Sequence, residues 1–409
     1  MVSRFGRQQL RAMVAALALL GLGGCATTIT RNAVPDQKLA QNASLPNQPG
    51  VRAWADEVPK DVAAEVRKRL PNLPRLAASA KRIDGRPVVD ILALSGGGSD
   101  GAFGAGVLTG WTARGDRPEF AVVTGVSAGA IVAPFAFLGP RYDVPMKEVW
   151  TKYETTEIVT AQVLPGLLGG ASLADTAPLA ALIAKYVDSK FLRAVGAEYR
   201  RGRLLLIGST NLDAQRPVVW NMGEIAISRH PDALQLFRDV ILASAAIPGA
   251  FPPVIIKVEA DGKSYEEMHV DGGTTREVFV SPMQVPLTDF DKLYDAPPIR
   301  RLYLIKNGKL VPEYQPVKPT TIQIAARAIS TLIKSQHQGE IYYIYRRARD
   351  GGADFNLLAV PADFKETPKQ AFDPAYQTLL FDLGYKIGRS GGPWLKVPPN
   401  IVKGAPRLQ

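Results

Sequence analysis

The chain of 409 residues is 46% hydrophobic and 21% charged, the balance of a globular protein, which excludes a disordered or fibrous chain. Its length allows a large core, in one extended domain or in two packed units, and its single cysteine excludes an intrachain disulfide. The net charge of +11 would suit an anionic partner, but the basic residues form short scattered clusters typical of solvated faces, so we expect no nucleic acid.

Residues 1–24 predict a secretory signal peptide. Three arginines precede an apolar segment of about 13 residues, which is shorter than the ~20 residues needed to span a bilayer. The segment ends in Leu-Gly-Gly-Cys at Leu22–Cys25, which resembles the lipobox of bacterial lipoproteins, whose cysteine is acylated and becomes the mature N-terminus. This resemblance implies a lipid anchor at Cys25 in a bacterial cell envelope, and Ala26 after it implies the outer membrane.

The region that follows the anchor, residues 25–86, is rich in Asn, Gln, Pro and Ala. This composition predicts a tether with at most one helix, over residues 60–70, that holds a folded domain off the membrane. From residue 87 the pattern changes to apolar runs that alternate with helical patterns. The alternation of strand and helix predicts an α/β fold in which helices cover a mainly parallel sheet.

The predicted elements come in this chain order. Strands are expected at 88–94 and 120–123, followed by helices at 102–114 and 127–137 respectively. Later elements are strands at 204–209 and 218–220, a helix at 232–244, a loop with three prolines at 247–253, a strand at 267–270, a strand at 302–305, a helix at 320–349, a strand at 357–360 and a helix at 374–384.

A serine lies between two glycines directly after the second strand. In Thr124–Val132, Gly125 and Gly129 flank Ser127, and the next residues are helical in pattern. A turn this tight has no room for side chains at the flanking positions, and it exposes the hydroxyl at a helix N-terminus, where partial positive charge favours an anion. The pattern predicts a nucleophile elbow, and a merely structural glycine turn is the alternative.

A glycine-rich loop, Gly96–Gly101, follows the first strand. Such a loop lets backbone amides point into one concavity, as in an oxyanion hole or a phosphate cradle. The loop also satisfies the dinucleotide fingerprint G-x-G-x-x-G, which requires an acidic residue at the end of the next strand. That strand ends at Thr124 and continues into the serine elbow. We therefore favour the oxyanion interpretation.

A nucleophilic Ser127 requires a neighbouring residue that accepts its proton. Of the three histidines, His337 is the only one after Asp271, and it lies in a predicted helix, while His230 is expected at the surface and His269 in a supporting role. This leaves Asp271, which precedes two glycines that give room for a close approach to the serine. An ordinary Asp-Gly turn is the alternative.

Taken together, Gly96–Gly101, Gly125–Gly129 and Asp271–Gly273 resemble the three signature motifs of the patatin-like phospholipase family, and residues 243–253 resemble a further family segment. The resemblance covers about residues 88–287. It implies a three-layer α/β/α sandwich and lipid acyl hydrolysis without metal or cofactor.

The resemblance also implies the roles of individual residues. Ser127 would be the nucleophile and Asp271 the proton acceptor of a Ser-Asp dyad. The oxyanion donors implied are Gly96, Gly97 and Gly98, and the implied motif glycines are Gly101, Gly125, Gly129, Gly272 and Gly273. Asp100 departs from the family pattern, since many members carry Arg or Lys there, and this keeps neutral glycerides and other esters among the expected substrates.

The sequence therefore predicts a signal peptide (1–24), a tether (25–86), an acyl hydrolase domain (87–287) and an extension that completes or covers the core (288–409). Three alternatives stay open at this point. They are a Ser-His-Asp esterase that uses His337, a dinucleotide-binding protein, and a non-catalytic envelope scaffold that keeps the fold.

Overall fold

The computed structural model describes residues 30–48, 50–57, 64, 71–161, 171–172, 174–281 and 286–399. The predicted signal peptide and Cys25 lie outside these residues, as does the helix expected over 60–70 apart from residue 64.

Twelve strands occur in the described part of the chain. They are β1 (Arg52–Trp54), β2 (Arg82–Ile83), β3 (Arg86–Leu94), β4 (Val122–Val126), β5 (Thr160–Ala161), β6 (Ala174–Asp175), β7 (Leu204–Asn211), β8 (Arg216–Asn221), β9 (Val254–Ala260), β10 (Lys263–Asp271), β11 (Ile299–Lys306) and β12 (Asp354–Ala359).

Twelve helices occur among the described residues. They are α1 (Gln37–Asn42), α2 (Leu73–Ser79), α3 (Gly101–Arg114), α4 (Ala128–Leu138), α5 (Asp143–Thr151), α6 (Thr155–Ile158), α7 (Ala177–Tyr186), α8 (Ser189–Arg200), α9 (Met222–Ile227), α10 (Ala233–Ser244), α11 (Thr321–Asp350) and α12 (Pro374–Ser390). Short 3₁₀ turns lie at Gly98–Asp100, Pro140–Tyr142, Gly272–Thr274 and Leu287–Leu293.

One mixed sheet forms the centre of the molecule, with the strand order β1-β8-β7-β4-β3-β11-β12. The strands from β7 to β12 in this order are parallel, while β8 and β1 add an antiparallel edge. Alternate residues of β3 belong to different apolar cores, with Leu92 and Leu94 in one and Ile91 and Ala93 in the other. Helices therefore cover both faces of the sheet, and the predicted three-layer α/β/α sandwich is confirmed.

Two strands share one edge of β7. The first half of β7 pairs with β4, up to the pair Val126–Gly208, and the next residues pair with β10, beginning at Ser209–Asp271. The chain of β4 leaves the sheet after Val126 to begin α4, and β10 takes its place beside β7. This exchange brings the end of β10 to the end of β4.

The segment predicted to be an extension, 288–409, contributes to the same sheet and its cover. β11 lies between β3 and β12, and α12 packs closely on α3. At that contact a Cβ on Gly106 would lie 2.1 Å from the carbonyl oxygen of Phe381, so the two helix backbones touch. The sheet of the predicted hydrolase domain therefore continues through this segment.

The predicted tether is wrong for the described residues between 30 and 57, because these residues pack on the folded domain. β1 pairs with β8 across Arg52–Trp54, and Arg31 forms an ion pair with Asp213. The buried side chain of Arg52 also pairs with Glu267 of β10. The polar composition of this region does not predict such a strand, because the strand forms its hydrogen bonds with a sheet edge that lies far away in sequence.

Candidate active site

Ser127 lies in a strained turn between β4 and α4. Its φ of 54° is in the left-handed region that a non-glycine residue rarely adopts, at a cost of roughly 1–3 kcal/mol. The neighbouring glycines make the turn possible, since a Cβ on Gly125 would lie 2.3 Å from the oxygen of Gly129, and one on Gly129 would lie 2.4 Å from the oxygen of Leu94. The turn therefore has the geometry of a nucleophile elbow.

A buried hydroxyl group fixes the backbone amide of Ser127. It donates to the hydroxyl of Ser244 at 3.0 Å, and that hydroxyl donates to the carbonyl oxygen of Gly208 at 2.6 Å. Ser244 is the last residue of α10 and is fully buried. Sequence reasoning gave it no role, and the only signal was its place in the segment 243–253.

Ser127 and Asp271 meet where β10 replaces β4 beside β7. The hydroxyl of Ser127 donates to Oδ2 of Asp271 at 2.6 Å, across 144 residues of sequence, and both side chains are buried. The other carboxyl oxygen, Oδ1, accepts the amide of Gly273 at 2.7 Å. The carboxyl group is thus held in one orientation toward the serine hydroxyl.

The surroundings of Asp271 favour its neutral form. The pKa of Asp271 is raised to about 7, mainly by burial and also by the nearby Glu277 carboxylate, while the hydrogen bonds from Ser127 and Gly273 lower the pKa. A carboxyl group that titrates near neutral pH can both accept a proton and return it. This is the property expected of a general base and acid.

The glycine loop adopts backbone conformations that only glycine takes easily. The φ angle is 155° at Gly97 and 56° at Gly98, and a Cβ on Gly97 would lie 1.9 Å from the carbonyl oxygen of Asn307. In the described part of the chain the amides of Gly97 and Gly98 donate no hydrogen bond. Both amides are therefore free to stabilise an oxyanion.

Gly96 differs from its neighbours in the loop. Its amide donates to the carbonyl oxygen of Glu277 at 3.2 Å, so the prediction that Gly96 is an oxyanion donor is wrong. What Gly96 supplies is space, because a Cβ there would lie 3.1 Å from Cβ of Ser127 and 3.2 Å from Cγ of Glu277. The candidate oxyanion donors are thus Gly97 and Gly98.

The remaining motif glycines lie at close contacts around this centre. A Cβ on Gly101 would lie 2.2 Å from the ring of Trp150, and one on Gly272 would lie 2.5 Å from the carbonyl oxygen of Gly208. At Gly273 the nearest atom would be Oδ1 of Asp271, at 3.1 Å. Each of these positions lets one element of the site approach another.

A buried asparagine from the C-terminal region fixes the glycine loop. Asn307 follows β11, its side-chain amide donates to the oxygen of Ser95 at 2.8 Å, and its Oδ1 accepts the amide of Gly104 at 3.1 Å. Its own amide donates to the hydroxyl of Ser95 at 3.0 Å. Sequence reasoning missed this residue. The only available signal was a polar residue directly after a buried strand.

A cavity of about 680 Å³ opens above Ser127 and Asp271. Its walls are partly apolar, with Ile247 on the loop after α10 and Ile329 and Ile333 on α11. Its rim carries charge, because Glu313 pairs with both Lys309 and Lys334. The volume and the apolar walls suit a lipid-sized ligand.

The comparisons with known proteins agree with this geometry. Residues 92–283 match the family model of the patatin-like phospholipases. The chain contains a patatin-like phospholipase domain. The match includes the whole glycine loop, the serine elbow and Asp271, and it lies inside the range of 88–287 expected from the motifs. The family supports lipid acyl hydrolase activity in general.

The other comparisons add little to this assignment. Among solved structures, VipD from Legionella pneumophila is similar to this chain at a TM-score of 0.37 and 12% sequence identity, over 76% of this chain and 69% of VipD. The comparison with curated proteins found no match. Among the described residues, no group of His, Cys, Asp and Glu side chains could hold a metal ion.

Asp100 also lines the cavity of the patatin-like domain. The hydroxyl of Tyr376 on α12 donates to Oδ1 of Asp100 at 2.6 Å. Burial raises the pKa of Asp100 to about 6, against the effects of this hydrogen bond and of Lys306. The acid that departs from the family pattern is thus tied to a helix of the C-terminal region.

Among the described residues, none of the three histidines hydrogen-bonds to the hydroxyl of Ser127, which donates to Asp271. His337, on α11, has Nδ1 at 3.2 Å from Oε2 of Glu277, and neither ring nitrogen has a hydrogen-bond partner among the described residues. Burial and the charge of Lys306 hold the pKa of His337 well below its usual range. It is therefore a neutral side chain next to the Glu277–Lys306 ion pair.

The other two histidines have structural surroundings. His269 is fully buried, with Nδ1 at 3.1 Å from the hydroxyl of Ser209 and Nε2 at 3.1 Å from Oε2 of Glu267. Its contact with Ser209 stabilises the pairing of β10 with β7. His230 is partly exposed beside Asp232.

Proposed function

We propose that this chain cleaves carboxylic esters of lipids through an acyl-enzyme, with Ser127 as the nucleophile and Asp271 as the proton acceptor. The observation that carries the proposal is the 2.6 Å hydrogen bond from the Ser127 hydroxyl to Asp271, at the floor of a partly apolar cavity. The match of residues 92–283 to the patatin-like phospholipase model supports the lipid substrate class.

In the acylation step, Asp271 Oδ2 takes the proton of Ser127 as Oγ bonds to the ester carbonyl carbon. The negative charge that develops on the carbonyl oxygen is stabilised by the amides of Gly97 and Gly98. The tetrahedral intermediate collapses, and the ester carbon–oxygen bond breaks. The leaving alcohol takes the proton from Asp271, and the acyl group stays on Ser127.

In the deacylation step, a water molecule attacks the acyl carbon and gives its proton to Asp271. The same two amides stabilise the second oxyanion. The bond to Ser127 Oγ then breaks, the serine recovers its proton from Asp271, and the fatty acid leaves. Each half of the reaction uses the carboxyl group once as base and once as acid, which suits a pKa near 7.

The substrates proposed are phospholipids and neutral glycerides. The apolar cavity walls suit an acyl chain, and the cavity volume suits a ligand of lipid size. When Asp100 is ionised, it places negative charge in the glycine loop, which disfavours a phosphate group at that point. We therefore propose that the phosphate of a phospholipid, when one is bound, lies elsewhere along the cavity.

We also propose that the protein is secreted and anchored to the bacterial outer membrane through an acylated Cys25. The support is the sequence of residues 1–26 alone. Growth of cells with labelled palmitate tests this proposal. The label should enter the wild-type protein and be lost in Cys25→Ser. Label in both proteins would reject the anchor at this residue.

The experiment that tests the chemistry compares wild type with Ser127→Ala and Asp271→Ala. Release of acid from p-nitrophenyl esters and from phospholipid vesicles should fall to background in both variants, with unchanged circular dichroism. A fluorophosphonate should label wild type and leave Ser127→Ala unlabelled. Activity that survives Ser127→Ala would reject Ser127 as the nucleophile, and a wild type that shows neither hydrolysis nor labelling would favour the scaffold alternative.

His337→Leu separates the dyad from a Ser-His-Asp triad. The imidazole of His337 faces Glu277, and Ser127 already donates to Asp271, so turnover should stay within a few-fold of wild type. A loss comparable to that of Ser127→Ala would instead assign the base to His337.

A further inference from the structure

The N-terminal half of α11 and the segment before it form an exposed apolar surface at the mouth of the cavity. Its exposed side chains include Tyr314 (94% exposed), Val317, Ile324 (54%) and Leu332 (70%), and we call these four residues the mouth surface. On the same helix, Ile329 and Ile333 turn toward the cavity. The mouth surface is therefore continuous with the cavity wall.

The apolar face of α11 extends beyond the residues that line the cavity. Ile324 and Leu332 are eight residues apart with Ala328 between them, so the three lie on one helical stripe. This stripe is adjacent to the stripe of Ile329 and Ile333, which lines the cavity. An apolar stripe that serves neither the core nor the cavity indicates a surface that contacts something else.

Basic residues surround the mouth surface. Residues 309–336 contain four basic side chains and one acidic side chain, Glu313. Glu313 is already paired with Lys309 and Lys334. Lys318 and Arg327 therefore leave an excess of positive charge beside the exposed apolar side chains.

The proposed lipid anchor would leave the molecule at the same end. The glycine loop follows β3, Ser127 follows β4 and Asp213 follows β7, and these parallel strands end at one edge of the sheet. Arg31 is bound to Asp213 at this edge, and Cys25 is six residues earlier in the chain. Six residues reach at most ~20 Å, so an anchor at Cys25 keeps this edge close to the bilayer.

We propose that the mouth surface docks on an anionic lipid bilayer, with Tyr314, Val317, Ile324 and Leu332 in the interface and with Lys318 and Arg327 against the headgroups. This inference rests on the proposed function, since it gives a lipid substrate a direct path from the bilayer into the cavity. Apolar side chains next to basic ones are the composition of interfacial helices. A second copy of this chain would instead bring two like-charged surfaces together.

The test uses a local fluorescent label, so that binding by another part of the chain is not mistaken for docking. Cys25 is the only cysteine, so Cys25→Ser in the full chain permits one labelled site at a time. The labelled sites are Leu332→Cys, Ile324→Cys and, as a matched control, Leu379→Cys. Leu379 is a leucine on α12 that is 50% exposed, and it lies outside the mouth surface. An environment-sensitive dye on each cysteine is titrated with vesicles of phosphatidylcholine, with and without phosphatidylglycerol.

The expected result is a blue shift with a several-fold rise in emission at Leu332→Cys and Ile324→Cys on the anionic vesicles, and no change at Leu379→Cys. Lys318→Gln together with Arg327→Gln should weaken binding by roughly 25-fold, about 5-fold for each charge. Equal shifts at all three labels, equal binding to uncharged vesicles, or a shift on concentrating the protein without vesicles would each overturn the proposal. The last of these would identify a second copy as the occupant.

The same titration in Ser127→Ala separates this proposal from the proposed function. Docking should be unchanged in that variant, because Ser127 lies in the buried elbow. A surviving shift together with surviving hydrolysis in Ser127→Ala rejects the dyad and keeps the docking surface. Loss of hydrolysis with no shift at either α11 label rejects the docking surface and keeps the dyad.

Discussion

Asp271→Asn should make the protein more stable at neutral and alkaline pH while it removes activity. The carboxyl group has a pKa of about 7 in the folded chain, against 3.8 for an unperturbed aspartate, because the folded structure buries it. Asparagine has the same shape and can keep both contacts, accepting the amide of Gly273 and donating to the hydroxyl of Ser127. The substitution therefore removes mainly the cost of ionising a buried acid.

The size and sign of this effect follow from linkage. One pKa unit corresponds to ~1.4 kcal/mol, so the difference between 3.8 and about 7 amounts to ~4 kcal/mol. Because the folded pKa is raised, the folded chain holds the proton more tightly than the unfolded chain. The penalty in wild type is thus absent below pH 3.8, grows by ~1.4 kcal/mol per pH unit up to about pH 7, and is constant above it.

Urea unfolding followed by circular dichroism, at pH 5 to 9, measures this difference. The free energy of unfolding of Asp271→Asn should exceed that of wild type by about 4 kcal/mol at pH 8, and the excess should shrink as the pH falls toward 5. Asp382→Asn, on the exposed side of α12, is the matched control. A variant less stable than wild type at pH 8, or an excess that does not depend on pH, would refute the assignment of a buried acid with a raised pKa.

Three further predictions concern the glycine loop, the pH profile and the elbow. Gly97→Ala should lower kcat by about 100-fold or more, because its Cβ would lie 1.9 Å from the oxygen of Asn307 and displace a proposed oxyanion donor. In Gly98→Ala the new Cβ meets no atom within 4 Å, so this variant should lose only about 1–2 kcal/mol of stability because of its φ of 56°. Kinetics and urea unfolding of both variants measure these effects, and equal losses of kcat would contradict the prediction. The plot of kcat/KM against pH should rise with a midpoint near 7, the pKa of Asp271. Glu277→Gln should move this midpoint to lower pH, because the substitution removes a negative charge near Asp271. An unchanged midpoint would show that another group controls the pH profile. Ser244→Ala leaves the amide of Ser127 and the carbonyl oxygen of Gly208 without their hydrogen-bond partner. The substitution should therefore lower the free energy of unfolding by about 1–3 kcal/mol and also lower kcat. A wild-type kcat would show that the elbow keeps its geometry without this hydroxyl.

Local sterics made much of the fold predictable from sequence. The strands and helices around the first two motifs were located to within about three residues, because apolar runs and glycine turns fix backbone conformation over short distances. The elements between 143 and 200, including α5, α7 and α8, were not predicted. The short strand β1 was missed as well, since its pairing partner β8 is more than 160 residues away.

The candidate site divides in the same way. Ser127, Asp271 and the glycine loop could be named from sequence, because each carries its signal in adjacent residues. Asn307, Ser244 and the Glu277–Lys306 ion pair could not, because a buried polar residue has no local signal of the group that it will contact. The mistaken oxyanion role of Gly96 has the same origin, since the carbonyl of Glu277 that takes its amide comes from another part of the chain.

By itself the sequence determined the elbow at Ser127 and the glycine loop, because a glycine is required wherever a backbone oxygen lies too close for a Cβ. Only the tertiary structure decided that Asp271 should face Ser127. The two residues are 144 positions apart, and they meet because β10 takes over from β4 along the edge of β7. Strand pairing and burial are non-local, and the same burial that brings the acid to the serine raises its pKa to the range in which it can move a proton.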